Sequence, residues 1–216
     1  MQERFNRLFR LQAGEMGMVL LMSALLFGNE MARQMSGIVG ISDFINTGGV
    51  NGVLVVYVID SVIIILTGAL SSLIVDRFNR VTLVRWTAFA FALAFVVLRA
   101  IAAFNVPDRF NAALLFLISE QQWLVYPAFF WVLANDMYSM AQTKRLFPLI
   151  GASSFVGKIA GIGIAMLPPL LFRLGWLSIN ELTINAVLLF NVFVYLVIFL
   201  LASAGLRNVH LRETAK

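Results

Sequence analysis

Six ionisable side chains sit inside otherwise apolar stretches of this sequence: Glu30, Arg33, Asp60, Arg99, Glu120 and Lys158. An isolated charge at the centre of a bilayer costs at least ~2.5–3.5 kcal/mol on insertion scales. Six of them therefore imply an interior surface, lined by protein or water, where they meet partners. Glu30 and Arg33 are three apart and pair locally on one helix face. A polar path for a solute or ion is one reading of the set; a buried ion-pair network that only fixes helix packing is the other. Three acids face three bases, so the net charge is near zero. A phosphorylated substrate calls for a net cationic pocket, which this set does not supply. Asp60 and Glu120 instead suit proton or cation coupling, or a zwitterionic solute.

Other chemistry is sparse. The chain has no Cys and a single His, His210, in its polar C-terminal tail. That leaves no thiolate or imidazole metal site, no Ser-His or Cys-His triad and no haem ligation. The run Gly151 to Ile159 has a phosphate-loop flavour, but its glycine spacing is one residue too long. Ile159 also stands where such loops carry the magnesium-binding Ser or Thr. The expectation is no enzyme, no metal and no cofactor.

The elements that carry these charges are read from composition. Apolar residues make up 61% of the 216 and charged residues 12%, against about 45–50% and about 25% in soluble domains. Six apolar runs, at about 16–41, 52–75, 82–104, 111–135, 149–172 and 182–205, are each long enough to cross a membrane as a helix. The expected fold is an all-α membrane protein of six transmembrane helices. Residues 1–14 form an amphipathic interfacial segment rather than a signal peptide, 15–206 the transmembrane domain and 207–216 a tail.

Eleven basic residues gather on one side of this layout: Arg4, Arg7, Arg10, Arg77, Arg80, Arg85, Lys144, Arg145, Arg207, Arg212 and Lys216. The opposite side holds Arg109 and Arg173, with Arg99 near it. The basic side is expected to be cytoplasmic, with both termini inside. The net charge of +5 thus follows the membrane and does not point to nucleic acid. Trp86 and Trp176 fall near the expected interfaces. Polar outer loops after spans 1, 3 and 5 are compatible with a parallel three-helix repeat, though no residue pattern displays one.

Ser153, Gly157, Gly161 and Ala165 place a small residue at every fourth position of span 5. Such a stripe lets two helix backbones approach closely, within the bundle or between copies. Lys158 lies beside it. Pro127 in span 4 predicts a kink, and Pro168-Pro169 a kink or an early helix end. Gly28-Asn29, Ser36-Gly37 and Gly40 raise the expectation of a broken or kinked span 1, a device transporters use for binding.

Two stretches carry a family resemblance. Ser72-Leu73-Ile74-Val75-Asp76-Arg77-Phe78-Asn79-Arg80 resembles the loop between helices 2 and 3 of the major facilitator superfamily. Asp76 and Arg77 match it, whereas Ser72 and Asn79 replace its glycines. Phe130-Trp131-Val132-Leu133-Ala134-Asn135-Asp136 followed by Lys144-Arg145-Leu146-Phe147-Pro148-Leu149 is similar to the ATP/ADP translocase (nucleotide exchange) branch of that superfamily. Glu120, Asn29 and Arg33 match residues of that branch more loosely. A Lys-Asp pair follows the Arg by three residues there; here those positions are Ser36 and Gly37, so the cation expected to meet nucleotide phosphate is missing.

The resemblance implies a six-helix half of a twelve-helix carrier in a plasma membrane, the inner membrane in a bacterium. The other half would be a second copy or another membrane subunit. Glu30, Arg33, Asp60, Glu120 and Lys158 would then line the path of a small anionic or zwitterionic solute, nucleotide-type by analogy. Asp76, Arg77, Arg80, Asp136, Lys144 and Arg145 would form a cytoplasmic latch. The alternative is a non-transporting scaffold or accessory subunit derived from a carrier half.

Overall fold

The computed structural model describes Gln12 and residues 14–104, 107–173 and 184–207. Residues 1–11 and 13 of the interfacial segment expected over 1–14, Trp176, His210, and Arg212 and Lys216 of the tail lie outside the described residues.

The described residues form six α-helices: α1 (Glu15–Gly48), α2 (Val50–Val75), α3 (Arg80–Ala103), α4 (Asp108–Met137), α5 (Met140–Arg173) and α6 (Ile184–Gly205). Four of them contain stretches long and apolar enough to cross a membrane: Val50–Val75, Arg80–Ala103, Met140–Leu167 and Ala186–Gly205. The chain is thus a multi-pass helical membrane protein. Its outer surface agrees, since large apolar side chains such as Leu54, Val58, Ile65, Leu93 and Phe193 are exposed along α2, α3 and α6. The helices α1 and α4 fall short of that apolar standard. They are the interior pair, packed on each other and on most of the remaining bundle, so that Asn29, Glu30, Ser36, Asn111, Ser119 and Gln122 are buried in protein.

Local chemistry sets the boundaries. Gly49 alone joins α1 to α2 at φ +74°, a left-handed backbone that glycine adopts without strain, and its N–H bonds Ile45 O. Asn79 caps α3 by accepting from the backbone N–H groups of Val81 and Thr82 at 2.9 and 3.5 Å. The start of α5 is a capping box. Ser139 Oγ accepts from Gln142 N at 3.3 Å while Gln142 Oε1 accepts from Ser139 N at 2.9 Å. Consequently α5 begins at Met140, well before the expected edge at 149, and places Lys144 and Arg145 on its first turns instead of in a loop.

Two expectations are corrected. Span 1 is one continuous helix, because its small residues serve close packing and not a break. A Cβ on Gly40 would lie 2.9 Å from Phe116 N, and one on Gly28 would lie 3.1 Å from Ile198 Cδ1. Secondly, the early helix end allowed for at Pro168-Pro169 does not occur, since α5 runs on to Arg173; Pro127 likewise lies inside α4. Proline is tolerated within membrane helices where neighbouring groups re-satisfy the freed carbonyl.

The helix pairings also bear on the three-helix repeat that the outer loops left open. The main pairings are α1·α5 with α2·α4, α1·α6 with α3·α4, and α1·α4 and α3·α6, with a weaker α1·α2 contact besides. Exchanging the first three helices for the last three maps the main pairings onto themselves. Yet α1 and α4 run antiparallel, Asn29 meeting Gln122 while Gly40 meets Ala112 and Phe116. Any three-helix repeat with these pairings is therefore inverted.

Candidate functional site

The interior pair α1–α4 positions most of the chemistry. Gly40 brings the two backbones together near one end, and the seam between them widens into a pocket of about 190 Å³. Arg33, Gln34, Gly37, Ile38 and Ile41 of α1 line it with Phe116 and Glu120 of α4. Arg33 reaches across this seam, its guanidinium 6.0 Å from the centre of the Trp123 ring.

A row of charges extends from the pocket on both sides. Towards α5, Arg33 Nη1 lies 3.6 Å from Glu30 Oε2, and Glu30 also feels the attraction of Lys158. The Lys158 ammonium rests 5.6 Å over the Phe155 ring. Towards α2, Glu120 faces Asp60 as a like charge. Asp60 is one of only two buried side chains on α2, at 4% exposure. The sequence-derived residues Lys158, Glu30, Arg33, Glu120 and Asp60 thus form one electrostatic row across four helices, while Arg99 sits half-buried on α3. Several atoms of the row are buried without a hydrogen-bond partner: Glu30 Oε2, Arg33 Nε and Asp60 Oδ1.

Beneath the row lies a neutral polar knot that charge-based reasoning missed. Tyr195 on α6 donates to Asn29 Oδ1 at 2.7 Å, and Gln122 Nε2 donates to the Tyr195 hydroxyl at 2.9 Å. Gln122 Nε2 also reaches Asn191 Oδ1 at 3.4 Å, and Asn29 Nδ2 donates to the Gln122 carbonyl at 3.4 Å. All four residues are fully buried. The available signal was Asn, Gln and Tyr in apolar helices, where such side chains must find partners.

The six residues assigned to the latch do not form one cluster. Arg80 joins the turn before α3 to the end of α4: its Nε lies 3.3 Å from Asp136 Oδ2 and its Nη2 lies 3.2 Å from Asp76 Oδ1. A separate cluster ties α1 to α5 through Glu15, which the sequence reading overlooked. Arg145 Nη2 and Gln142 Nε2 reach Glu15 Oε1 at 2.7 and 3.0 Å, and Gln12 N donates to Glu15 Oε2 at 2.9 Å. Burial pushes the Glu15 carboxyl upward, but these hydrogen bonds and the Arg145 charge outweigh it and hold it below its ordinary value. Beside them the Tyr138 hydroxyl is pushed up to about 12 by burial and by the Glu15 charge. Arg77 and Lys144 are exposed. The aromatic residues of the same region, Trp131, Tyr138 and Phe147, pack the end of α4 against the start of α5, with Trp131 and Phe147 ring centres 5.0 Å apart.

The small-residue stripe faces α1. A Cβ on Gly157 would lie 2.5 Å from Phe27 O, and one on Gly161 would lie 2.5 Å from Met31 O. Ser153 bonds back to Ile150 O at 2.6 Å, and Ala165 is half-buried. Among the described residues, no three His, Cys, Asp or Glu side chains cluster as a metal site. Compared with protein-family models, curated proteins and solved structures, the chain finds no match.

Proposed function

We propose that this bundle is one six-helix half of a carrier of the major facilitator type. It would move a small solute by rocking against a second half, supplied by another copy or a partner subunit. The observation that carries this reading is the row Lys158–Glu30–Arg33–Glu120–Asp60. It crosses four helices, opens into the α1–α4 pocket and leaves buried polar atoms without hydrogen-bond partners. Burying such atoms costs free energy unless something binds them.

Two further features support it. The exchange of pairings between the first and last three helices is what an inverted 3+3 arrangement, as within each half of such carriers, would produce. The end holding Glu15, Asp76 and Asp136 also carries Arg77, Arg80, Arg85, Lys144, Arg145 and Arg207, which favours that end as cytoplasmic. In this reading all six helices span, α1 and α4 being shielded from lipid by the others, in a bacterial inner membrane. Asp60 and Glu120 would carry the coupling proton or cation, and Arg33 the anionic part of the solute.

The test is uptake by proteoliposomes of a panel of nucleotides and small zwitterions. Transport by the wild type that is lost in Asp60→Asn and Glu120→Gln supports the reading. Undiminished transport in both variants removes the roles given to them.

A non-transporting scaffold is the second reading, and one observation favours it. Where the translocase-like pattern expects Lys and Asp, Ser36 bonds back to Ala32 O at 2.9 Å and Gly37 rests against Ser119. Stoichiometry in mild detergent separates the two: a symmetric dimer supports the carrier, and stable association with unrelated membrane proteins supports the scaffold.

A further inference from the structure

A second set of orphan polar groups lies where α3 meets α6, away from the α1–α4 pocket. Arg85, early in α3, places its guanidinium 6.0 Å over the Phe199 ring of α6. Its Nε is buried and has no hydrogen-bond partner. Among the described residues no carboxylate pairs with it, Asp76 and Asp136 both being engaged by Arg80. On α6, Ser203 follows Phe199 by one turn and so shares its face towards α3. Its Oγ is likewise buried without a partner. The helices α3 and α6 run antiparallel, with Phe95 near Tyr195 and Trp86 near Phe199. Ser203 therefore lies at the level of the first turns of α3, and the Arg85 side chain leans towards that level because helical side chains tilt to the N-terminus. Arg207, exposed, follows Ser203 by four residues.

We propose that this end of the α3–α6 groove binds the phosphate of an anionic phospholipid. The groove faces the membrane: Trp86 is 56% exposed and Leu93, Val97, Phe193 and Leu200 are exposed along it. Trp86 and Phe89 pack on Phe199 at its mouth, with ring centres 6.4 and 5.5 Å apart, which suits the level where headgroups meet acyl chains. A guanidinium there with no protein carboxylate, beside an orphan hydroxyl and a second arginine, matches the charge and the acceptor oxygens of a phosphodiester. The acyl chains would lie along the apolar remainder of the groove. The proposal needs the bundle to be membrane-embedded but does not depend on transport.

The experiment titrates delipidated protein in mild detergent with phosphatidylglycerol and with phosphatidylcholine of the same acyl chains, reading bound lipid by native mass spectrometry. The wild type is expected to prefer phosphatidylglycerol at least about fivefold, the worth of one arginine near an anionic surface. Arg85→Gln should abolish most of that preference, Arg85→Lys should retain part of it, and Arg109→Gln at the opposite end should leave it intact. Ser203→Ala, a smaller change that spares the fold if Arg85→Gln does not, should weaken phosphatidylglycerol binding about twofold or more. A wild type that does not discriminate, or a preference surviving both Arg85→Gln and Ser203→Ala, overturns the proposal and leaves Arg85 as a packing partner of Phe199. Because no uptake is measured, these outcomes are independent of the carrier reading.

Discussion

Tyr195 donates its phenolic hydrogen to Asn29 Oδ1 across 2.7 Å, joining α6 to α1 between residues 166 positions apart. The Tyr195 hydroxyl oxygen in turn accepts from Gln122 Nε2 on α4 at 2.9 Å, so one hydroxyl fastens three helices. Tyr195→Phe keeps the ring stacked near Phe95 and removes both bonds. Side-chain hydrogen bonds between membrane helices average ~0.6 and reach ~1.7 kcal/mol. The expected loss is therefore about 1–2 kcal/mol of unfolding free energy, measured by denaturant titration in mixed micelles. A neutral result would show that packing and the remaining Asn29–Gln122 and Gln122–Asn191 bonds hold the three helices without the hydroxyl.

This knot also marks what the sequence left unreadable. Helix number and approximate bounds follow from six apolar runs, because lipid imposes a length that composition reports directly. The charged row was legible for the same reason, since ions in apolar stretches are costly and conspicuous. Gln122, Asn191 and Tyr195 carry no charge, so nothing in composition sets them apart until their partners on other helices are known. Gly28 and Gly40 suggested a broken helix, but glycine serves a kink and a close crossing equally well, and only the neighbour decides. The early start of α5 was readable: Ser139 followed three residues later by Gln142 is a capping box in plain sequence.

The stripe on α5 separates its glycines sharply. Gly157 and Gly161 leave no room for a Cβ against the carbonyls of Phe27 and Met31, whereas Gly151 and Gly163 meet nothing within 4 Å. Gly157→Ala should force α5 from α1 and cost about 1–3 kcal/mol. Gly163→Ala should be neutral or stabilise by up to ~1 kcal/mol through helix propensity. Thermal unfolding in detergent compares the two, and equal effects would contradict the close α1–α5 crossing.

Arg80 holds two carboxylates of unequal worth. Asp136 is 25% exposed and Asp76 is 81% exposed. Solvent screening makes the Asp76 pair worth at most a few tenths of a kcal/mol, while the more sheltered Asp136 pair should reach about 1 kcal/mol. Double-mutant cycles of Arg80→Gln with Asp136→Asn and with Asp76→Asn measure the two couplings. A larger coupling to Asp76 would reverse this ranking.

Glu15 makes the α1–α5 tie pH-dependent. Burial alone would raise its carboxyl, but Gln12, Gln142 and Arg145 bring it below the ordinary 4.5. A folded-state value below the unfolded one stabilises the protein fully above the unfolded value, and the benefit is lost as pH falls through the lowered folded value. Stability should therefore drop on acidification below 4.5, and Glu15→Gln should flatten that part of the profile. Identical acid limbs for the two proteins would remove Glu15 as the cause.

Asp60 offers a test in which stability and activity move in opposite directions. The residue is 4% exposed, its Oδ1 has no hydrogen-bond partner, and it feels the like charge of Glu120. A carboxylate kept only to hold α2 against α4 would be a poor choice, since burial and repulsion both work against it. Asp60→Asn removes the charge while preserving shape. It should stabilise the bundle by about 1 kcal/mol, as relief of strain held at functional sites commonly does. If Asp60 carries the coupling ion, the same substitution should abolish gradient-driven uptake. A variant that is both less stable and inactive would mean that Asp60 is a structural residue, and the activity loss would then say nothing about a pathway.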